Sequence, residues 1–554
     1  MKNTQIKRST PIAWVTLLTL MAISLPLSKF AMSVFQFLIL GMWFWSGLKS
    51  SEFKMNYQQG IAKGTFHSFL YIFKTAGLNF VNKFKIFFKN PAAVALLSIY
   101  IIHVIGLFWT TDYSYAFKDL RIKLPLLMFP VVLLTMPKLS QKQFYLLIAL
   151  FIASNFVASF VTYYKYLAGN FTDIRQISAF ISHIRFSLNI CISIFSLLFF
   201  VFKKDLLKSV YKYLLLIPVF WFLYILKLLE SGISFLILSA AVVCVVLFFI
   251  QKIPNLLLKV SAFTIILLVP FGMAYYFYSG YKSYSTPETV NINSLPKTSS
   301  LGNPYWHDTI HYGVENGKYV GLYICEPELK DAWNKRSDVK YNDILPSGYE
   351  LKISLIRYLS SKDLPKDAIG ISKLSDKDIR HIQKGIANYN YAAHPGIKTR
   401  LLKVYLSLKN FLSSKDPNGS SILQRFEYWK TASMIISDHL FFGTGTGDIN
   451  NAFKQKYIDS DSSLLPQYRN RSHNQYLSIF VALGLFGFII FLFGLIYPPL
   501  KLNAFNDYFF AAFFLIVGLS MLTEDTLETQ AGATFFAYFF SLLLFSRKKY
   551  DLLQ

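Results

Sequence analysis

The chain has 554 residues, of which 54% are hydrophobic, 18% aromatic and only 16% charged, and its formal net charge is +26. Soluble domains carry roughly 25% charged residues, so a string of soluble domains is excluded, and recurring apolar runs of ~18 or more residues mark a polytopic membrane protein. The basic excess sits between those runs, where it orients a membrane protein, and no basic stripe accompanies a soluble fold, so no nucleic-acid partner is expected. Cys191, Cys244 and Cys325 make neither a disulfide framework nor a Cys-based metal site.

In chain order, a basic segment at 2–8 precedes an apolar run from Ile12. It lacks a small-x-small cleavage site and runs on into a second apolar segment, so a retained first span is expected. Apolar runs near 12–28, 30–48, 91–110, 124–136, 143–165, 184–202, 213–229, 231–250, 258–279, 475–497, 508–523 and 530–546 predict about twelve spans. Lysines and arginines gather at 49–90 (Lys49, Lys54, Lys63, Lys74, Lys83, Lys85, Lys89), 203–212, 251–259 and the tail after Ser546. With a cytoplasmic N-terminus all of these fall inside, which puts both termini in the cytoplasm and the one long polar insert, 281–472, outside.

The insert differs in composition: it holds 26 Lys+Arg and 19 of the chain's 30 acidic residues. Helical spacing of Leu401, Val404, Tyr405, Leu408 and Phe411, and a second pattern from Ile422 to Met434, make it mostly helical, with a turn-rich break at 413–420. The expected fold is all-α in three parts: a transmembrane bundle over 1–280, a large loop domain over 281–472, and C-terminal spans over 473–554.

Enzymes that work on lipid-linked substrates need ionisable groups at the membrane face, whereas transporters need them near the midplane. The span centres here are almost free of charge. Candidates gather at the outer span ends instead: Asp173, Arg175, His183 and Arg185; Glu230; Arg425, Arg469, Arg471 and His473; and Glu524, Asp525 and Glu528. No inverted repeat accompanies them, which further weakens a lipid-linked glycan transporter.

The most informative stretch is Arg471-Ser472-His473-Asn474-Gln475, followed inside an apolar run by Gly484 and Gly487. Together with Gln424-Arg425, Trp429 and Phe442-Gly443-Thr444-Gly445-Thr446-Gly447-Asp448 upstream, and Leu522-Thr523-Glu524-Asp525-Thr526-Leu527-Glu528 downstream, it resembles the O-antigen ligase family of the ligase/polymerase superfamily, in a Bacteroidetes-type form. Two departures stand out. Phe488 occupies a position that is often Thr, and Glu230-Ser231-Gly232 lacks the Ser-Arg pair common there.

The resemblance implies a metal- and cofactor-independent membrane glycosyltransferase of lipopolysaccharide biosynthesis in the bacterial inner membrane, with the insert as a periplasmic loop. It would move a glycan from undecaprenyl diphosphate to a sugar hydroxyl of lipid A–core, among membrane lipids. Polymerases that join lipid-linked repeat units share the superfamily, and the motifs do not separate the two. In this reading His473 is the catalytic base, since a weak hydroxyl nucleophile needs a base with a pKa near ambient pH. Neighbouring arginines would keep its imidazole neutral. Arg185, Arg425 and Arg471 would steady the diphosphate with planar, permanently charged donors. His183, Asn474, Glu524 and Glu528 are supporting candidates.

Blander readings stand beside these. Arg185 alone would snorkel to headgroups, and Arg425 would be one more solvated residue of the insert. Gly443, Gly445 and Gly447 lack the strand-loop-helix setting of a phosphate loop and read as a tight turn, while Gly484 and Gly487 read as small-residue helix contacts. Glu524 and Glu528 as a glycosidase pair would need a water-exposed cleft that nothing in the sequence suggests.

Overall fold

A computed structural model of the protein describes residues 11–46, 65–169, 171, 174–203, 209–251, 253–345, 349–393, 397–418 and 420–547. Lys49, Lys54, Lys63, Asp173, Lys204, Lys208, Lys252 and the tail lysines, several of which carry the expected orientation, lie outside the described residues. The chain forms two compact units, one from residues 1–245 with 424–554 and one from 246–423.

The first unit is built from apolar helices whose ends are marked in the sequence. Asn90 caps Pro91–Ile105, its Oδ1 accepting from Ala93 N at 3.1 Å with Pro91 in the first turn. Ser140 and Gln143 form a capping box on Gln141–Ala168, and Asp507 caps Tyr508–Met521. Gln475–Lys501 packs along Pro91–Ile105, and Gln530–Phe545 along Tyr113–Thr135. The first pairing needs Gly494, where a Cβ would stand 2.7 Å from Ala95 O. Buried aromatics fill the unit: Trp14, Phe129, Phe144, Phe151, Phe536 and Phe540. Tyr538, also buried, donates its hydroxyl to Leu18 O at 2.7 Å, as a polar tip in an apolar core must.

Among the described residues, six helices are long and apolar enough to cross a membrane: Pro91–Trp109, Gln141–Ala168, His183–Phe202, Tyr211–Leu228, Leu256–Ser285 and Gln475–Lys501. Ile12–Leu27, Lys29–Trp45, Gly232–Cys244, Tyr508–Met521 and Gln530–Phe545 are apolar but shorter. The fourth expected span, 124–136, is the second half of Tyr113–Thr135, whose first half carries Lys118, Asp119, Arg121 and Lys123. Among the described residues every expected apolar run thus contains helix, and six helices qualify by length and composition.

Gln475–Lys501 is broken at Gly484, which has φ 64° and ψ −167°, a conformation open essentially to glycine alone. The chain around 440–447 fills the break. Thr444 N and Gly445 N donate to Val481 O and Ala482 O at 2.9 and 2.8 Å, and Leu485 N donates to Leu440 O at 2.8 Å. The backbone groups freed by the break are thereby satisfied, as they must be within an apolar bundle. A Cβ on Gly484 would lie 2.4 Å from the Phe441 carbonyl, and one on Gly443 would lie 2.5 Å from that of Ala482. This corrects the reading of Gly484 as a helix-packing contact: it is the receptor for the glycine turn.

The second unit has its own apolar core. Glu326–Arg336, Leu351–Ser361 and Asp376–Gln383 enclose Leu329, Trp333, Leu355, Tyr358, Leu359 and Ile382. It is not wholly helical. Trp306–Asp308 pairs antiparallel with Gly321–Ile324, and Val314–Glu315 with Lys318–Tyr319. The second hairpin turns at Asn316-Gly317, both with positive φ, a primed two-residue turn that the Asn-Gly pair favours. The units also divide the chain elsewhere than at 280/281 and 472/473. Residues 424–472 cluster with the first unit and Leu256–Ser285 with the second.

Candidate functional site

The loop from Leu522 to Thr529 joins two apolar helices, Tyr508–Met521 and Gln530–Phe545. It has three acidic residues, Glu524, Asp525 and Glu528, and Asp525 and Thr526 are buried. Such a segment needs polar partners from elsewhere in the chain. It obtains them from three arginines on three separate elements.

Arg185, in the first turn of His183–Phe202, donates to Asp525 O at 3.0 Å and to Thr526 Oγ1 at 3.3 Å. Arg425, on Ser421–Asp438, donates to Thr523 O at 3.4 Å and to Glu524 Oε1 at 3.2 Å. Arg471, in the stretch before Gln475–Lys501, reaches Glu528 Oε2 at 3.2 Å and the Tyr115 hydroxyl at 3.1 Å. The Nε of Arg425 is buried and unpartnered among the described residues. Arg185 and Arg425 are therefore held by the protein rather than spread into headgroups or solvent.

Glu528 is the most committed carboxylate. Besides Arg471 it binds Lys123 Nζ at 2.9 Å and Gln475 Nε2 at 3.3 Å, and Lys123 also holds Asp119 Oδ1 at 2.5 Å. Gln475 Oε1 accepts from Leu527 N at 2.6 Å, tying the loop to the start of Gln475–Lys501. Burial alone would raise the Glu528 pKa, but Lys123 and Arg471 outweigh it and hold the carboxyl well below the usual range. Glu524 goes the other way: burial raises its pKa against the opposing charges of Arg185 and Arg425. The four cations Lys123, Arg185, Arg425 and Arg471 face the four anions Asp119, Glu524, Asp525 and Glu528, so the cluster is formally neutral before any anion arrives.

His473 stands beside this network with φ +47°, a conformation uncommon for non-glycine residues and costly enough that surrounding structure must hold it. The holding bonds are local. Ser472 Oγ accepts from Asn474 N at 3.2 Å and pairs with Ser478 Oγ at 2.8 Å, while Ser472 O accepts from Trp429 Nε1 at 3.0 Å. Asn474 caps the following helix, its Oδ1 accepting from Tyr476 N and Leu477 N at 3.0 and 3.2 Å. Ser478 Oγ in turn donates to Asp525 Oδ1 at 2.7 Å.

The Tyr428 ring lies 5.6 Å from the imidazole, centroid to centroid. Burial lowers the His473 pKa, Asp525 opposes that, and Arg425 and Arg471 lower it further, so the net direction is down. Among the described residues neither ring nitrogen is hydrogen-bonded. Burial and the two arginines thus favour the neutral imidazole, the form that accepts a proton.

The glycine turn is anchored nearby in sequence at Asp448. Its Oδ2 accepts from Thr110 Oγ1 at 2.9 Å and Thr111 N at 2.7 Å, and its Oδ1 from Asp112 N at 3.1 Å. The turn thus spends its amides and its carboxylate on the protein itself. Among the described residues no three His, Cys, Asp or Glu side chains gather as metal ligands.

Of the expected site residues, His473, Arg185, Arg425, Arg471, Glu524 and Glu528 meet at one loop. Asn474 is a helix cap, and His183 sits two residues before Arg185 in the same helical turn. Lys123, Asp119, Gln475 and Tyr115 were not anticipated. The i,i+4 pair Asp119/Lys123 at the mouth of an apolar run was the available sign, since charges there need a partner.

Residues 388–492 match the family described as O-antigen ligase. The match takes in Arg425, the glycine turn, Arg471, His473 and Gly484. No curated protein matches the chain.

Proposed function

With the O-antigen ligase family supported by residues 388–492, and the chain accordingly a membrane enzyme of ligase/polymerase type, we propose that it transfers a glycan from undecaprenyl diphosphate to a sugar hydroxyl of lipid A–core at the periplasmic face of the inner membrane. The observation that carries this reading is the convergence of Arg185, Arg425 and Arg471 on the 523–528 loop beside an imidazole with free nitrogens.

In the proposed step the acceptor hydroxyl oxygen attacks the anomeric carbon of the donor sugar, and His473 takes its proton. The bond from that carbon to the diphosphate oxygen breaks, and the electron pair leaves with undecaprenyl diphosphate. Arg185 and Arg425 offer guanidinium donors to the charge that grows on the leaving group. Arg471 is the least available of the three, because Glu528 and Tyr115 occupy it. Its role is to hold the 469–474 segment against the 523–528 loop. Glu524 and Glu528 position arginines rather than act as acid and base, which accounts for two carboxylates in one loop without a hydrolytic pair. The step uses no metal and no nucleotide, and transfer in EDTA is the direct check.

Joining one lipid-linked repeat unit to another uses the same bonds with a different acceptor. The lipopolysaccharide profile of a deletion strain separates the two: core with no O-chain indicates the ligase reaction, and core with a single repeat unit indicates the polymerase reaction. The orientation is tested by cysteine labelling at two exposed positions, Ser372 and Asn503. Ser372→Cys should label from outside intact cells and Asn503→Cys should not; the reverse pattern would sink both the topology and the periplasmic chemistry.

A further inference from the structure

The second unit carries a cleft of about 930 Å³ that the transfer chemistry does not use. Its walls include Tyr305, Tyr319, Tyr323 and Lys366, together with Lys318 and Asp363. Lys366 is 3% exposed, and among the described residues its ammonium has no hydrogen-bond or ion-pair partner. Buried lysines are normally paired, and the carboxylates close in sequence are committed elsewhere. Asp363 pairs with Lys318, while Asp367 accepts from the Tyr305 hydroxyl and, at 2.7 Å, from Gly370 N.

The position of this lysine is fixed from both sides. Lys366 N donates to Tyr323 O and Cys325 N donates to Lys366 O, each at 2.9 Å. Burial, helped by the Lys318 charge and opposed by Asp363, brings the ammonium pKa down to about 8, so it remains mostly charged at neutral pH. Glu288, on the rim, is exposed, and solvent screens its charge.

Tyr323 is held in a strained backbone conformation, φ +58°, where a bulky residue is an outlier. The restraint is a hydrogen bond from Tyr323 N to His307 Nδ1 at 3.1 Å, with His307 Nε2 donating to Pro296 O at 2.9 Å. The Tyr323 ring stands edge-on to Tyr305, 5.8 Å between centroids. Flat rings accept the C–H face of a pyranose, hydroxyls and carboxylates accept its hydroxyls, and an ammonium without a hydrogen-bond or ion-pair partner in a cleft wall calls for an anion.

We propose that this cleft binds an anionic saccharide residue, its carboxylate or phosphate paired with Lys366 and its ring face laid on Tyr305 or Tyr323. Only the reason for a saccharide to be present rests on the glycan-transfer reading; the binding itself does not.

The test measures binding to the full-length His473→Ala protein in nanodiscs, where turnover is removed. The probes are tetragalacturonate, its fully methyl-esterified form, glucose 1-phosphate and inorganic phosphate, read by saturation-transfer NMR and calorimetry. Tetragalacturonate or glucose 1-phosphate should bind, the preference between them identifying carboxylate or phosphate. The methyl ester should bind at least tenfold more weakly than tetragalacturonate, and inorganic phosphate should not compete.

Lys366→Met, of similar length, should weaken the anionic probe tenfold or more. Tyr305→Ala or Tyr323→Ala should weaken it without changing the preference for the anion, which guards against a misfolded lysine variant; full affinity in both would overturn the stacking on these rings. No binding by either saccharide, equal binding in Lys366→Met, or equal competition by inorganic phosphate would each overturn the proposal. Binding with these properties by a protein whose wild type transfers nothing would leave the cleft assigned and the transfer reading refuted.

Discussion

In the unit formed by residues 1–245 and 424–554, Glu528 is shared by Lys123 and Arg471 with its side chain 7% exposed. In the 246–423 unit, Lys335 and Asp331 pair at 72% and 67% exposure. The side chains are of the same kinds, but their surroundings are opposite. Exposed pairs contribute roughly 0–1 kcal/mol because water solvates both charges with or without the partner. A buried charge has no such alternative, and stranding it costs about 3–5 kcal/mol. The 523–528 loop therefore uses Glu524 and Glu528 to keep two arginines and a lysine in place, whereas the Lys335–Asp331 pair of the second unit is surface.

The largest effect that would break this contrast is on folding. Glu528→Ala leaves Lys123 and Arg471 buried around a void, and should lower stability by about 3–5 kcal/mol or prevent recovery of folded protein. Thermal unfolding in nanodiscs reads it, and an unchanged midpoint would remove the network's structural role. Next comes His473→Ala, which takes away no ion pair. Transfer should fall by ~10²–10⁴ while the unfolding midpoint holds, and near-normal transfer by folded protein would end the assignment of the base.

Arg425→Lys tests whether the fork itself matters. A charge-assisted hydrogen bond is worth about 1.5–3 kcal/mol, so losing one should cost ~10–100-fold in transfer with charge preserved. Full activity would reduce Arg425 to a holder of Glu524.

A smaller effect concerns pH. His473 must be neutral to accept a proton, so activity is lost as pH falls through its lowered pKa. Asp525 raises that pKa and Arg425 lowers it. Asp525→Asn should therefore move the acid limb of the pH–rate profile to lower pH, and Arg425→Gln should move it to higher pH. Shifts of the opposite sign would show that another group sets the limb. Smallest of all, Lys335→Ala should leave the unfolding midpoint within error, and a marked loss there would erase the contrast from the other side.

The apolar helices were legible because a run of apolar residues and its caps are local facts, visible at Asn90-Pro91, at Ser140 with Gln143, and at Asp507. His473 and the arginines were legible as types in a pattern, since a neutral base beside permanent cations is a statement about side chains. The Asn316-Gly317 hairpin is equally local, a short signal set among the stronger helical periodicities of the insert. What the order of residues did not disclose is which distant charges meet.

Lys123 reads as one more basic residue at the end of an apolar run, yet its partner Glu528 lies 405 positions away. Residues 424–472 are as polar as the insert before them, and the bonds of Asp448 to Thr110, Thr111 and Asp112, of Thr444 and Gly445 to Val481 and Ala482, and of Arg425 and Arg471 to Glu524 and Glu528 attach them to the membrane unit. Gly484 reads as a residue of a continuous helix until the turn at 440–447 is seen to fill its break. Hydropathy, periodicity and capping act over a few residues, so the sequence alone determined the helices and the chemical types at their outer ends. Burial and charge pairing are sums over everything that packs around a group. Only the tertiary structure decided that three arginines share one loop, that Glu528 is already spent on Arg471 and Lys123, and that Lys366 is left without a hydrogen-bond or ion-pair partner among the described residues.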